Sequence, residues 1–184
     1  EVDIFFTSAD EARMIRNTID PEHRTQGLDT QACCLRFLDF IAARAAGTGR
    51  RRTQLFGVTV KNGAYAKLVG PDGRARETVF CASRFMVRGV VDLVGAGDSF
   101  RGGLTASVAR QKEAFLAGSL NVEEAVQVGN LMAVLYITSP LGDRYGHIPS
   151  YETLLALVRS GRSFATLEEL AAEMAQHEGK VLRQ

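Results

Sequence analysis

The chain has 184 residues, 46% of them hydrophobic and 23% charged, a profile that suits one soluble globular domain with a core of its own. Its 22 Lys and Arg offset 21 Asp and Glu, so the basic excess expected of a nucleic-acid or membrane-surface protein is absent. No apolar run approaches the roughly 18 residues of a membrane span, and no signal-peptide pattern opens the chain, so a reducing cytoplasm is the expected compartment.

Val2 to Phe6 is apolar, β-branched and aromatic, and predicts a buried strand. Ser8-Ala9-Asp10-Glu11 has the form of a capping box. Ala12, Ile15 and Ile19 follow at helical spacing until Asp20-Pro21. Residues 22–30 are polar and predict a loop. Leu35, Leu38, Ile41, Ala42 and Ala45 then form the stripe of a helix over 31–46, closed by Gly47. Arg50-Arg51-Arg52 reads as a solvated loop before a strand. Strands are predicted over 55–60 and 63–69, with a turn at Gly70-Pro71-Asp72-Gly73 and extended chain from Glu77 to Phe80, which together make a small antiparallel meander.

The second half is helical. Phe100, Leu104 and Val108 share one face of a helix over 98–110. Asn121 and Glu124 open a helix that is apolar nearly all round from Ala125 to Ile137, the pattern of a central, buried helix. Ser139-Pro140-Leu141-Gly142 ends it. Pro149-Ser150 opens a helix carrying Leu154, Leu155 and Val158, and Thr166 with Glu169 opens another carrying Leu167, Leu170 and Met174. Strands and helices interleave, so the class is α/β with a local antiparallel insertion. His23, His147 and His177 lack ligand spacing. Cys33, Cys34 and Cys81 form no disulfide framework and read as buried small hydrophobes.

The chemistry lies in Asp92-Leu93-Val94-Gly95-Ala96-Gly97-Asp98-Ser99-Phe100-Arg101-Gly102-Gly103. Two glycines flanking an alanine let the backbone approach a ligand and align successive N–H groups. Set before a helix, those groups add to the positive end of its dipole and make an anion site. A carboxylate directly after such a site would repel a resting phosphate. It makes sense if Asp98 takes the proton of a hydroxyl attacking phosphorus. A dinucleotide fingerprint would require Gly where Phe100 stands, and a Walker A loop would require Gly-Lys-Ser/Thr where the chain has Gly102-Gly103. Without a ligand, the same residues describe a tight turn with an Asp N-cap and a close helix–sheet contact at Gly102-Gly103.

This segment resembles the second signature of the ribokinase family of ATP-dependent carbohydrate kinases, the PfkB type, written D-T-x-G-A-G-D-x-F-x-x-G. Asp92, Gly95, Ala96, Gly97, Asp98, Phe100 and Gly103 fall on it. The resemblance implies a ribokinase-like, Rossmann-type three-layer sandwich, with a central, mostly parallel sheet and helices on both faces. It implies Asp98 as catalytic base, the amides of Gly95, Ala96 and Gly97 as anion hole, and Asp92 beside a monovalent-cation site. Val58 to Ala64 stands where the family has a nucleotide loop, one residue short, which implies nucleotide contacts at Gly63, with Asn130 and Gly103 as others. Glu11 matches the magnesium-linked acid of the family's N-x-x-E motif, with Ser8 at the Asn position.

ATP, Mg2+ and K+ are the expected cofactors. A small sugar, sugar acid or nucleoside is the expected substrate, and a homodimer the expected assembly. On this reading the chain is the C-terminal, nucleotide-binding and catalytic portion of a single domain whose N-terminal part is missing, with residues 162–184 as a helical extension. The alternative is a non-catalytic nucleotide-binding or regulatory relative, or a partial chain that needs its other half.

Overall fold

The computed structural model describes residues 2–20, 25, 27–49 and 51–181; Arg50 and, in the loop expected over 22–30, residues 22–24 (His23 among them) and 26 lie outside them. In chain order the elements are β1 (Ile4–Ser8), α1 (Ala9–Ile19), α2 (Thr30–Gly47), β2 (Gln54–Val60), β3 (Gly63–Val69) and β4 (Val79–Ala82). They continue with α3 (Ala96–Arg110), α4 (Lys112–Leu116), α5 (Val122–Thr138), α6 (Tyr151–Arg159) and α7 (Leu167–Val181). The contacts fall into two compact units. One runs to Ala82 and takes in Arg110–Val122; the other comprises Ser83–Ala109 and the chain from Glu123 onward.

The first unit is built on a four-stranded sheet in the order β1-β2-β3-β4. β1 pairs parallel with β2, and β2, β3 and β4 form the antiparallel meander. Within this sheet parallel pairing is therefore confined to β1–β2, and the α/β class is met with a mixed sheet. The observed β1 is shifted two residues beyond the apolar run. Val2 is half exposed, while Thr7 and Ser8 pair with Val58 and Thr59. Apolar side chains report burial, whereas the strand extends as far as the ladder has a partner. β4 is displaced likewise, because Gly63 to Ala66 supply partners only for Val79 to Ala82.

The turn from β1 into α1 is closed by the capping box expected of Ser8 and Glu11. The Glu11 amide donates to Ser8 Oγ at 3.2 Å, and Glu11 Oε2 accepts from the Ser8 amide at 2.8 Å. Asp29 caps α2 through the Ala32 amide at 2.7 Å. Against the sheet, α1 and α2 bury Ala12, Cys34, Phe37, Leu38 and Ala42 with Phe56, Val58 and Val69. All three cysteines are buried and reduced. Burial, with the neighbouring Cys33 second, raises the Cys34 thiol to about 11, so it packs as a neutral apolar group.

In the second unit, α5, α6 and α7 pack Val128, Leu131, Leu135, Leu154, Leu157, Val158 and Leu170 around Phe85 and Phe164. The rings of Phe85 and Phe164 stack 6.0 Å apart, and their backbones form an isolated bridge. Within the stretch 162–184 expected as a helical extension, Phe164, Leu170 and Met174 thus pack into this core. The all-round apolar helix is buried along Ala125–Leu131 but only half buried over most of its last two turns. Among the described residues no helix is long and apolar enough to cross a membrane.

Helices α3 and α5 cross at their glycines. A Cβ at Gly103 would stand 2.8 Å from Met132 Cβ and 2.9 Å from the Val128 carbonyl oxygen, and one at Gly129 would meet the Phe100 ring and carbonyl at 2.9 Å. The contact expected at Gly102-Gly103 is therefore with a helix and not with the sheet, and only Gly103 makes it. Gly103→Ala should lower stability by about 1–3 kcal/mol through overpacking. Gly102→Ala, with nothing within 4 Å of the new Cβ, should leave stability unchanged or raise it by up to about 1 kcal/mol. Urea denaturation of the two variants checks the difference in sign.

Candidate functional site

The segment from Val91 to Gly95 runs from the C-terminal end of α5 to the first turn of α3. The amides of Val91 and Asp92 donate to the Ile137 carbonyl at 2.8 and 3.3 Å, which ties the segment to the end of α5. Gly95 then takes φ +88°, where a side chain would be strained. Its Cα also lies against the Tyr136 ring, since a Cβ there would stand 2.7 Å from Cε1. The chain can turn into α3 at this point only through a glycine.

α3 begins at Ala96, two residues before the expected start, so Gly97 and Asp98 belong to its first turn. Asp98 is therefore inside the helix and not its N-cap, and the Gly95 carbonyl accepts the first intrahelical bond, from the Ser99 amide at 2.9 Å. Ala96 donates its own amide to the Leu93 carbonyl at 3.2 Å. Of the amides expected to form an anion hole, those of Gly95, Ala96 and Gly97, one is thus engaged within the turn. Ala96 is spent on the turn, and the first-turn amides left for a ligand among the described residues are those of Gly97 and Asp98. A Cβ on Gly97 would meet only Arg101 Nη1, at 3.9 Å, so a ligand could come up to the backbone there. The Asp98 side chain is 85% exposed, with Oδ1 accepting from Arg101 Nη1 at 2.7 Å.

Asp92 is differently placed. Its Oδ1 accepts the Val94 amide at 3.1 Å, and its Oδ2 accepts Arg144 Nη2 at 2.6 Å. The Val94 amide first, and Arg144 next, hold the Asp92 carboxyl below the usual carboxylate range. Arg144 also donates from Nη1 to the Val94 carbonyl at 2.8 Å and stacks 4.7 Å from the centroid of the Tyr136 ring. Sequence reasoning did not find Arg144. The signal available was a cation in the loop over 139–149.

Around these residues lies a cavity of about 410 Å³, lined by Asp92, Val94, Tyr136, Leu141, Arg144 and Tyr145 among others. Tyr145 is exposed and sits 5.3 Å, centroid to centroid, from Tyr136. The loop that carries Arg144 and Tyr145 is wound on Asp143, which accepts the Gly146 amide at 3.1 Å and faces His147 at 3.8 Å. The cavity has two aromatic walls and one ion pair, and it adjoins the amide-bearing turn.

The remaining candidates have local structural roles. Asn130 is buried on α5 and donates to Gln127 Oε1 at 3.4 Å. Gly103 is taken up by the helix crossing. Gly63 and Glu11 belong to the first unit. A Cβ on Gly63 would stand 2.2 Å from the Cys81 carbonyl oxygen, so the glycine is required by the β3–β4 contact. Glu11 Oε2 accepts Thr7 Oγ1 at 2.8 Å and Ser8 Oγ at 2.9 Å in addition to the capping amide.

Residues 59–144 match the family model described as pfkB family carbohydrate kinase. The similarity covers a little under half of the chain. The pfkB match takes in Gly63, the glycine turn, Asp92, Asp98, Asn130 and Arg144, and leaves Glu11 outside. No curated protein matches the chain in sequence. Among solved structures it is similar to aminoimidazole riboside kinase from Salmonella enterica, with 20% identity, a TM-score of 0.48, and coverage of 86% of this chain and 42% of that one. The chain thus spans less than half the length of that protein.

The lowered carboxyl of Asp92 fixes the sign of a pH effect. A group held below its ordinary value stabilises the fold above the carboxylate range, and that stabilisation is lost as pH falls through the depressed value. Asp92→Asn should therefore lower the melting temperature at neutral pH, and the gap from the parent should close on acidification. Thermal unfolding followed from neutral to strongly acid pH reads this, and a gap constant throughout would count against it.

Proposed function

We propose that this chain carries the catalytic, nucleotide-side portion of a kinase that transfers the terminal phosphoryl group of Mg·ATP to a hydroxyl of a small sugar-like substrate. The observation that carries the reading is the first turn of α3, where the amides of Gly97 and Asp98 stand beside an exposed carboxylate within the pfkB match. The two features do opposite things for a phosphate, and phosphoryl transfer uses both.

In this reading Asp98 Oδ2, the oxygen turned away from Arg101, accepts the proton of the substrate hydroxyl as that oxygen bonds to phosphorus. The bond from phosphorus to the bridging oxygen of ADP breaks, and the proton remains on Asp98 until product leaves. The first-turn amides of Gly97 and Asp98 hold the charge on the transferring group, assisted by the N-terminal dipole of α3. The Asp98–Arg101 pair is exposed, so little free energy opposes its release when substrate arrives. The cavity beside the turn suits a nucleoside, since its volume of about 410 Å³ lies in the range of small-molecule sites and Tyr136 and Tyr145 offer flat faces.

Magnesium keeps most of its ligands as water and phosphate oxygens, so the ion needs no protein cage here and enters as Mg·ATP. Glu11, expected to be linked to it, instead caps α1. That capping role, with the short loop ending in Gly63, favours the second reading of a non-catalytic nucleotide-binding relative.

Two measurements separate the readings. Asp98→Asn in the complete protein should lower turnover by about 10²–10⁴-fold through loss of the general base, and unchanged turnover would remove Asp98 from that role. Mg·ATP at about 100 times its Kd should stabilise the fold by roughly 2.7 kcal/mol in a thermal-shift assay. Stabilisation without turnover would support the non-catalytic relative, and the absence of both would dismiss the two readings together.

A further inference from the structure

The monovalent-cation role implied for Asp92 does not fit its surroundings. A potassium or sodium ion at this point would take its ligands from oxygen atoms, and the Asp92 carboxylate and the Val94 carbonyl are two hard oxygen donors of the segment. One guanidinium occupies both. Arg144 Nη2 donates to Asp92 Oδ2 at 2.6 Å and Nη1 to the Val94 carbonyl at 2.8 Å, while the Val94 amide fills Oδ1 at 3.1 Å. The Arg144 side chain is only 9% exposed and lies over the Tyr136 ring. A second positive charge at the same oxygens would meet the guanidinium directly, and displacing Arg144 would forfeit two hydrogen bonds and the ring contact together.

We propose that the Arg144 guanidinium is the resident cation of this site, that it replaces a monovalent metal ion at Asp92, and that it acts as a positioning residue for the glycine turn. Asp92 and Val94 precede Gly95 by three residues and one, and Tyr136 lies against Gly95 itself. Arg144 therefore touches the segment and the ring that fix where the first turn of α3 begins. A planar, always-charged fork does this without exchange with solvent ions, so the geometry of the turn is independent of the salt present. The consequence for catalysis rests on the phosphotransferase reading, but the identity of the cation does not.

The test compares thermal unfolding of the full chain in potassium chloride, sodium chloride and tetramethylammonium chloride at equal ionic strength, without nucleotide. The parent should melt at the same temperature in all three. Arg144→Ala frees the carboxylate and the carbonyl, and should acquire a rise of about 2–4 °C in potassium over tetramethylammonium. The double variant Asp92→Asn/Arg144→Ala should lose that rise. If Arg144→Ala does not fold, Arg144→Gln takes its place, and Arg144→Lys, which keeps a cation, should behave as the parent. A potassium-specific rise in the parent that Asp92→Asn abolishes would overturn the proposal, as would charge-removing variants that gain no potassium response. Repeating the Mg·ATP shift in potassium and in tetramethylammonium keeps the two readings apart. Failure to bind nucleotide in either salt would reject the kinase reading and leave the cation result standing, whereas binding by the parent only in potassium would reject the guanidinium.

Discussion

The close approach of α3 and α5 sets the geometry on which the candidate site depends. Where Gly103 faces Val128 and Met132, and Gly129 faces Phe100, neither helix has room for another carbon atom. Two helices held this near share their side chains at the ends. The last turns of α5 bring Tyr136 under the chain that enters α3, and the Ile137 carbonyl ties down Val91 and Asp92. Helix interiors resist glycine by about 1 kcal/mol relative to alanine. At Gly103 and Gly129 that cost is accepted in exchange for an interhelical distance that larger residues would widen. A wider crossing would lift Tyr136 from Gly95 and with it the support under the turn.

The electrostatics around the turn divide the two aspartates. Asp92 is engaged on both oxygens and held ionised by the Val94 amide and Arg144, which suits a fixed part. Asp98 lies three residues beyond Gly95, exposed, with one oxygen lightly held by Arg101. A base must give up one partner and take another within each turnover, and an exposed pair lets it do so cheaply. The side chain that is held and the side chain that is available lie six residues apart in sequence.

Much of this was legible locally. The Ser8–Glu11 box, the Thr166–Glu169 start of α7, the Ser150 cap of α6 and the Gly70–Gly73 turn each involve residues within four positions, and local chemistry decided them. The glycine turn was legible for the same reason, since its spacing carries its backbone geometry. What escaped was set at longer range. Arg144 lies 52 residues from Asp92, and the partner of Gly103 was assigned to the sheet when it is a helix. The far end of α5 looked like buried helix because Tyr136 and its neighbours are apolar, yet there they wall a cavity. The Ala96 amide was counted among the donors because its use depends on the carbonyl of Leu93, whose direction no residue spacing reveals.

The carboxylate of Glu11 shows how a motif position can be filled by the fold. Its Oε2 carries the Thr7 hydroxyl, the Ser8 hydroxyl and the Ser8 amide, and so closes the first turn of α1. A divalent ion recruiting that oxygen would have to displace these donors, so ion occupancy and the start of α1 become competing states of one equilibrium. Ion binding at Glu11 would then register as fraying of a helix end, and conditions that strengthen the cap would weaken the ion.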